Sequence, residues 1–424
     1  MESPSLITPV GQAKRALGAS HKWKVLGVGV AANASFSATA TGIPTTAIWM
    51  RHDYHLGNAE LGLVMGSMGL GLALSELPWG FATDRFGDRP VLMTGLTSTA
   101  LMLLVMALCA VPSAGSIPPL PLLVAMMCVV GLLGGSVNGS SGRAVMSWFK
   151  DGERGLAMSI RQTAVPLGGG IGALLLPWLA QSRGFGGVFS ALAVMVALSA
   201  GFAWRWLHEP PVTTAHAAHA AQPAGSAPPR GPLTDIQIWR VVLGIGILCV
   251  PQFAVLTFAT VFLHDFARLH AAGISATMAV IQSGAMAMRV WSGRYTDKRG
   301  NRRSYLRGST LVAAGSFAVL ALAVAVLHNT FAAVLVALIA VAGICVSAWH
   351  GVAYTELATL AGPQRAGTAL GMANTVVYGG LFVAPIAIPH LLAASSWTGV
   401  WIAAGLSALL TYPLFPKAMR AVSR

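Results

Sequence analysis

Three charged side chains stand inside long apolar stretches of this 424-residue chain: Glu76 in LALSELPWG, Arg161 in SIRQTAVPLGGGIG and Arg289 in AMAMRVWSG. A guanidinium keeps its charge when buried and offers a planar fork of donors that fits a carboxylate or a nitrate. A carboxylate in the same setting can take up a proton or act as counter-ion to a neighbouring arginine. Both readings of Glu76 stay open at this level. An ionised group within a bilayer costs at least about 2.5–3.5 kcal/mol, which makes each of the three a functional candidate. Glu76 stands eight residues before Asp84 of GFATDRFGDRP, and Arg289 eight before Asp297 of GRYTDKRGNRR. At a rise of ~1.5 Å per residue, both lie about 12 Å inside those loops, and Arg161 lies about 10 Å past Arg154.

The elements that hold these groups are apolar spans. Apolar residues make up 55% of the chain and charged residues only 9%, against about a quarter charged in soluble proteins. Runs long enough to cross a bilayer fall at 25–49, 59–80, 91–112, 120–146, 156–180, 187–207, 238–263, 272–293, 305–327, 330–355, 368–392 and 397–415. The expected fold is therefore all-α and integral to the membrane, with twelve transmembrane helices and nothing that reads as strand. With both termini on one side, only Arg51, Arg183 and Arg268 of the 27 Lys and Arg face the other side, and Arg143, Arg161 and Arg289 lie inside spans. That asymmetry predicts cytoplasmic termini in an inner or plasma membrane. The net charge of +14 reflects topology and does not point to nucleic acid. KWKVLGVGVAANAS has the look of a signal peptide, but cleavage there would spoil the charge asymmetry, so it reads as the first span. Its Asn33, Ser35, Ser37, Thr39, Thr41 and Thr45 suit a helix lining a wet cavity. Cys109, Cys128, Cys249 and Cys345 sit in spans without paired spacing and read as small buried hydrophobes.

Residues 208–236 are rich in Pro, Ala and Gly and predict a flexible cytoplasmic linker; His216 and His219 within it read as solvated. The expected organisation is a tail over 1–24, a six-helix bundle over 25–207, the linker, a second six-helix bundle over 237–416 and a tail over 417–424. The halves repeat. Gly80, Asp84 and Gly87 align with Gly293, Asp297 and Gly300 at an offset of 213, and Arg154 with its following Gly168-Gly169 aligns with Arg365 and Gly379-Gly380 at 211. Two pseudo-symmetric bundles with a site between them are common in secondary transporters.

Gly80, Asp84, Arg85, Gly87 and Arg89 match Gly-x-x-x-Asp-Arg-x-Gly-x-Arg, and Gly293, Asp297, Lys298, Gly300 and Arg302 form a degenerate copy. On these motifs the chain resembles the major facilitator superfamily over essentially its whole length. The resemblance implies that both loops latch the cytoplasmic side in one conformation. Arg-x-x-x-Gly-x-x-x-Asp from Arg289 is similar to members that move small anions, including nitrate/nitrite porters, monocarboxylate transporters and the oxalate/formate exchanger. In those an arginine here binds the anionic group. The sequence departs from them too: nitrate porters carry a second Arg where this chain has Glu76, and monocarboxylate transporters an Asp where it has Ala285. Neither substrate carries over. Arg161 either flanks the same anion or neutralises Glu76. Gln162, Asn33, His350 and Tyr354 complete the expected substrate-binding set, with Glu76 as the candidate proton-coupling group. Arg143 is expected to snorkel or to join the latch, and Asp53, His55, His264 and Asp265 to sit at the opposite rim.

The implied activity is a secondary active transporter of a small organic or inorganic anion, working as a monomer in lipid, coupled to protons, by alternating access. The alternatives are a proton-driven exporter of drugs or amphipathic compounds, for which the expected Arg early in helix 4 is missing, and a non-transporting membrane receptor. No residue pattern suggests an enzyme, a metal or a cofactor.

Overall fold

The computed structural model describes residues 20–113, 115–208, 231–327 and 331–417. Of the expected linker over 208–236, residues 209–230, with His216 and His219, lie outside the described residues, as do the tail residues 1–19 and 418–424.

Polar interruptions and glycines divide the apolar sequence into helices. In the first half, α1 (His21–Gly42) continues through a 3-10 turn (Ile43–Thr46) into α2 (Ala47–Asp53). It is followed by α3 (Asn58–Phe86), α4 (Asp88–Cys109), α5 (Leu120–Gly134), α6 (Ser136–Trp148) and α7 (Arg154–Trp206). The second half comprises α8 (Ile236–Val261), α9 (Ala271–Arg299), α10 (Arg302–Leu327), α11 (Ala332–Cys345), α12 (His350–Ala361), α13 (Ala366–Ala394) and α14 (Trp397–Leu410). The one β interaction among the described residues is an isolated bridge between Ser113 and Ser116.

The expectation of twelve spanning helices is corrected: among the described residues, eight helices are long and apolar enough to cross a membrane. The expected spans at 156–180 and 187–207 run together as α7, 53 residues whose two helical stretches meet at a kink at Gly184. There φ is +63°, a conformation that glycine adopts without steric cost. α14 is apolar but only 14 residues long. α1 and α9 are long enough, yet neither is among the eight. Their serines, threonines and amides lower their hydropathy, and these are the helices that carry Asn33 and Arg289. Placing a polar site in a helix weakens the signal by which its span is counted.

Two large apolar cores form beside a small cluster of Leu26, Val145, Phe149 and Ala157. One draws on residues 25–207 around Leu92, Leu96, Phe185 and Phe189. The other draws mainly on 238–415 around Phe262, Phe317, Trp349 and Trp401. The halves meet where α3 packs on α13 and α9 packs on α7, so each lends the other one helix face. The repeat is also written in the backbone away from these contacts. His52 pairs with Asp53 at 2.9 Å and His264 with Asp265 at 2.6 Å. A few residues on, His55 and Arg268 both adopt left-handed φ, 53° and 59°.

Candidate functional site

α5 gives way to α6 at Gly135, and α11 gives way to α12 through Val346–Trp349. Arg289 donates into the second of these breaks, at Ser347, and Arg161 binds α6 just past the first, at Asn138 and Ser141. Arg161, 2% exposed, donates from Nε to Ser141 Oγ (2.9 Å) and from Nη2 to the Asn138 carbonyl (2.7 Å) and Asn33 Oδ1 (3.4 Å). Arg289, 4% exposed, donates from Nε to the Ser347 carbonyl (3.2 Å) and from Nη1 to the Gln162 carbonyl (2.8 Å). Ser347 and Gln162 belong to different halves, so Arg289 bridges them. Neither guanidinium has a carboxylate within 4 Å among the described residues. Arg161 Nη1 also donates to Met158 Sδ at 3.6 Å, so both guanidinium groups are held by neutral acceptors.

Glu76 is completely buried, and its partners are amides. Asn138 Nδ2 donates to Oε1 at 2.5 Å and Asn374 Nδ2 to Oε2 at 3.2 Å. Asn138 also donates to Tyr378 Oη (3.1 Å), and Tyr354 Oη donates to Asn374 Oδ1 (2.7 Å). The ion pair between Glu76 and Arg161, one of the two sequence alternatives, is not formed. Arg161 acts on Glu76 only as a nearby charge.

The structure brings the expected substrate set into one connected region. Asn33 touches Arg161 directly, Gln162 touches Arg289 through its carbonyl, and Tyr354 joins the amide that holds Glu76. His350 is engaged locally: Nδ1 contacts the Ser347 carbonyl at 3.2 Å, and the ring stacks on Trp349 at 4.0 Å. Sequence reasoning missed Asn138, Ser141, Ser347, Asn374 and Tyr378. The polar run SVNGSSGR pointed to the first two; nothing marked the others.

At one end of the molecule the twin loops perform the same capping reaction. The Asp84 carboxylate accepts from the N–H groups of Gly367 (2.9 Å) and Thr368 (2.7 Å) and from Thr368 Oγ1 (2.5 Å). Asp297 accepts from the N–H groups of Gly155 (3.1 Å) and Leu156 (2.7 Å). These are second and third residues of α13 and α7, whose N–H groups lack intrahelical partners and sit at the positive dipole end. Gly80 and Gly293 lie so close to the carbonyls of Gly367 and Gly155 that a Cβ would have no room. Gly87 (φ 90°) and Gly300 (φ 63°) turn the chain behind them.

The basic positions diverge. Arg302 bridges Asp151 (2.8 Å) and Asp297 (3.4 Å) and holds the Asp151 carboxyl below its usual range. Arg89 instead donates to the Trp204 carbonyl at 2.9 Å, and Arg85 packs over Phe86. Lys298 makes no ion pair with Asp297. Arg143 belongs with the latch residues, binding Asp88 at 2.8 Å and approaching Asp84 at 3.5 Å.

Asp84 accepts three hydrogen bonds from the facing helix and Asp297 two. Asn in either place keeps one accepting oxygen and loses the other, together with the charge. Asp84→Asn is therefore expected to slow exchange in proteoliposomes several-fold while half-saturation moves little, and Asp297→Asn to slow it less. An equal or greater slowing at Asp297 would contradict this order.

A family model described as Major Facilitator Superfamily matches residues 29–326. An uncharacterized MFS-type transporter of Mycobacterium tuberculosis is 29% identical over 401 residues, covering 94% of this chain and 86% of that protein. A probable galactarate/D-glucarate transporter of Bacillus subtilis is 29% identical over 161 residues, 38% of this chain and 35% of that one. In fold, the chain is similar to the proton:xylose symporter XylE bound to 6-bromo-6-deoxy-D-glucose. The TM-score is 0.76 at 17% identity, over 94% of this chain and 95% of that one.

Proposed function

Because this chain belongs to the major facilitator superfamily, we propose that it is a multi-pass secondary transporter that moves a small anion by alternating access, driven by protons. The observation that carries the substrate class is the pair of buried guanidinium groups, Arg161 and Arg289, held by neutral acceptors with no carboxylate within 4 Å among the described residues. Charges so placed are stabilised by a bound anion, and the planar fork favours carboxylate or nitrate over a spherical ion. The relative named for galactarate and D-glucarate, both sugar acids, supports a carboxylate. Glu76, buried with amide partners, is the proton-coupling group in this reading. The latched end, which bears Arg85, Arg89, Lys298 and Arg302, faces the cytoplasm, and the protein works as a monomer of two bundles joined by the linker.

Thermal shift on purified protein tests the substrate class, since a ligand that binds only the folded form raises Tm, by about 2.7 kcal/mol of stability at a hundred times Kd. D-glucarate, galactarate, monocarboxylates, nitrate, cyanate and cationic dyes form the panel. At least one anion should raise Tm and the dyes should not. Stabilisation by dyes alone would replace this reading with that of an exporter.

A further inference from the structure

The two oxygens of Glu76 are not equivalent. Both accept from amide N–H donors, an arrangement that suits a carboxylate, which has acceptors on both oxygens and no donor. Oε1 takes the short bond from Asn138, at 2.5 Å, and that amide is also tied to Tyr378. Oε2 takes the longer bond, at 3.2 Å, from Asn374. A proton arriving at Glu76 therefore belongs on Oε2, leaving Oε1 as the carbonyl that still accepts from Asn138. The Asn374 amide then faces an O–H with its own N–H, and the clash is relieved by a half-turn of the amide. After that turn Oδ1 accepts from Glu76, and Nδ2 points at Tyr354.

In the unprotonated state Tyr354 spends its hydroxyl proton on Asn374 Oδ1. Once Nδ2 faces it, the phenol oxygen accepts, and its O–H turns away. Tyr354 is within electrostatic reach of both Arg161 and Arg289, so the freed donor lies in the region of the two guanidinium groups. No proton travels beyond Glu76; only the direction of each hydrogen bond is passed on. The charged and titratable groups that act on Glu76 or feel it are Arg161 from α7, Tyr354 from α12 and Tyr378 from α13. Of these only Tyr354 and Tyr378 can reverse a hydrogen bond, and Tyr378 contacts the amide that does not need to turn.

We propose that Asn374 is a positioning residue that relays the protonation of Glu76 across the interface between the halves, converting it into a hydrogen-bond donor from Tyr354 for the substrate anion. This rests on Glu76 as the proton-coupling group. Proton and anion then favour each other's binding, as reciprocal coupling requires.

Acid-minus-neutral infrared difference spectra of the purified full chain test the relay without any substrate. The wild type should show a carboxylic-acid band that Glu76→Gln removes, and a tyrosine C–OH band that Tyr354→Phe removes. In Asn374→Leu the Glu76 band should remain, displaced, while the tyrosine band is lost. Asn374→Ala, a smaller change, gives the same test should the Leu variant not fold. Tyr354→Phe, which keeps the ring, should displace the Glu76 band as well. A tyrosine band that persists without Asn374, or a wild-type spectrum with the Glu76 band and no tyrosine band, overturns the relay and leaves Glu76 as the coupling group. Absence of any band sensitive to Glu76→Gln overturns both.

Discussion

Arg289→Ala abolishes anion binding and transport while the protein still inserts and purifies: this is the expected result, and the hydrogen bonds of Arg289 explain both halves of it. Removing one member of a buried ion pair strands a charge and costs about 3–5 kcal/mol. Arg289 has no such partner; its loss leaves only the carbonyls of Gln162 and Ser347 short of a donor, a milder penalty of roughly 1–3 kcal/mol. Substrate binding suffers more. Two hydrogen bonds to a charged group are worth on the order of 3–6 kcal/mol, so affinity should fall at least about a hundredfold. Arg289→Lys should fail nearly as badly, since an ammonium cannot span the two carbonyls and hold an anion in the same plane. Binding is read by the thermal shift of whichever anion stabilises the wild type. Unchanged stabilisation of the Ala variant would remove Arg289 from the site.

Glu76→Gln is expected to separate accumulation from exchange. Glutamine reproduces the protonated side chain: its carbonyl oxygen can accept from Asn138, and its amide can donate to a turned Asn374. Nothing is stranded, because no arginine depends on Glu76 for an ion pair. A pH difference of one unit drives about a tenfold concentration ratio per proton, and the variant should lose all of it. Counterflow, which moves no net proton, should continue. The two assays are run on the same proteoliposomes, with and without an imposed pH gradient. Accumulation that survives in the Gln variant makes Glu76 a fixed acceptor in a structural network. Loss of both activities makes it a tie between α3 and α13, and His350 becomes the next group to examine.

Charge was readable from sequence, and its neutral partners were not. Glu76, Arg161 and Arg289 stand out because ionised residues in apolar spans are rare. Their depths follow from helical rise and a fixed distance to Asp84, Arg154 and Asp297. The same reasoning left Glu76 as either a proton-coupling group or the counter-ion of a neighbouring arginine, and the structure places amides where the ion pair would be. Asn374 meets Glu76 across 298 residues, and no local pattern marks an asparagine in a helix as the partner of a distant carboxylate. The twin loops were readable because glycine and aspartate recur at fixed spacing in both halves. The division of labour among its basic residues was not, since it depends on which carbonyls and carboxylates come near once the loops are folded. The count of spans failed where helices carry the site: the Ser, Thr and Asn of α1 and the polar residues of α9 lower the hydropathy of the helices that bear Asn33 and Arg289.

Each twin loop plugs the start of a helix from the opposite half, and water is the competitor for both ends of that contact. Any form in which these contacts part must hydrate the Asp84 and Asp297 carboxylates and the N–H groups of Gly155, Leu156, Gly367 and Thr368. Each exchange of a protein hydrogen bond for water is nearly balanced, at about 0.5–1.5 kcal/mol. The equilibrium between latched and open forms is therefore sensitive to the activity of water itself. Osmolytes excluded from protein surfaces favour the form that hydrates less, and so would favour the form in which these capping contacts are made.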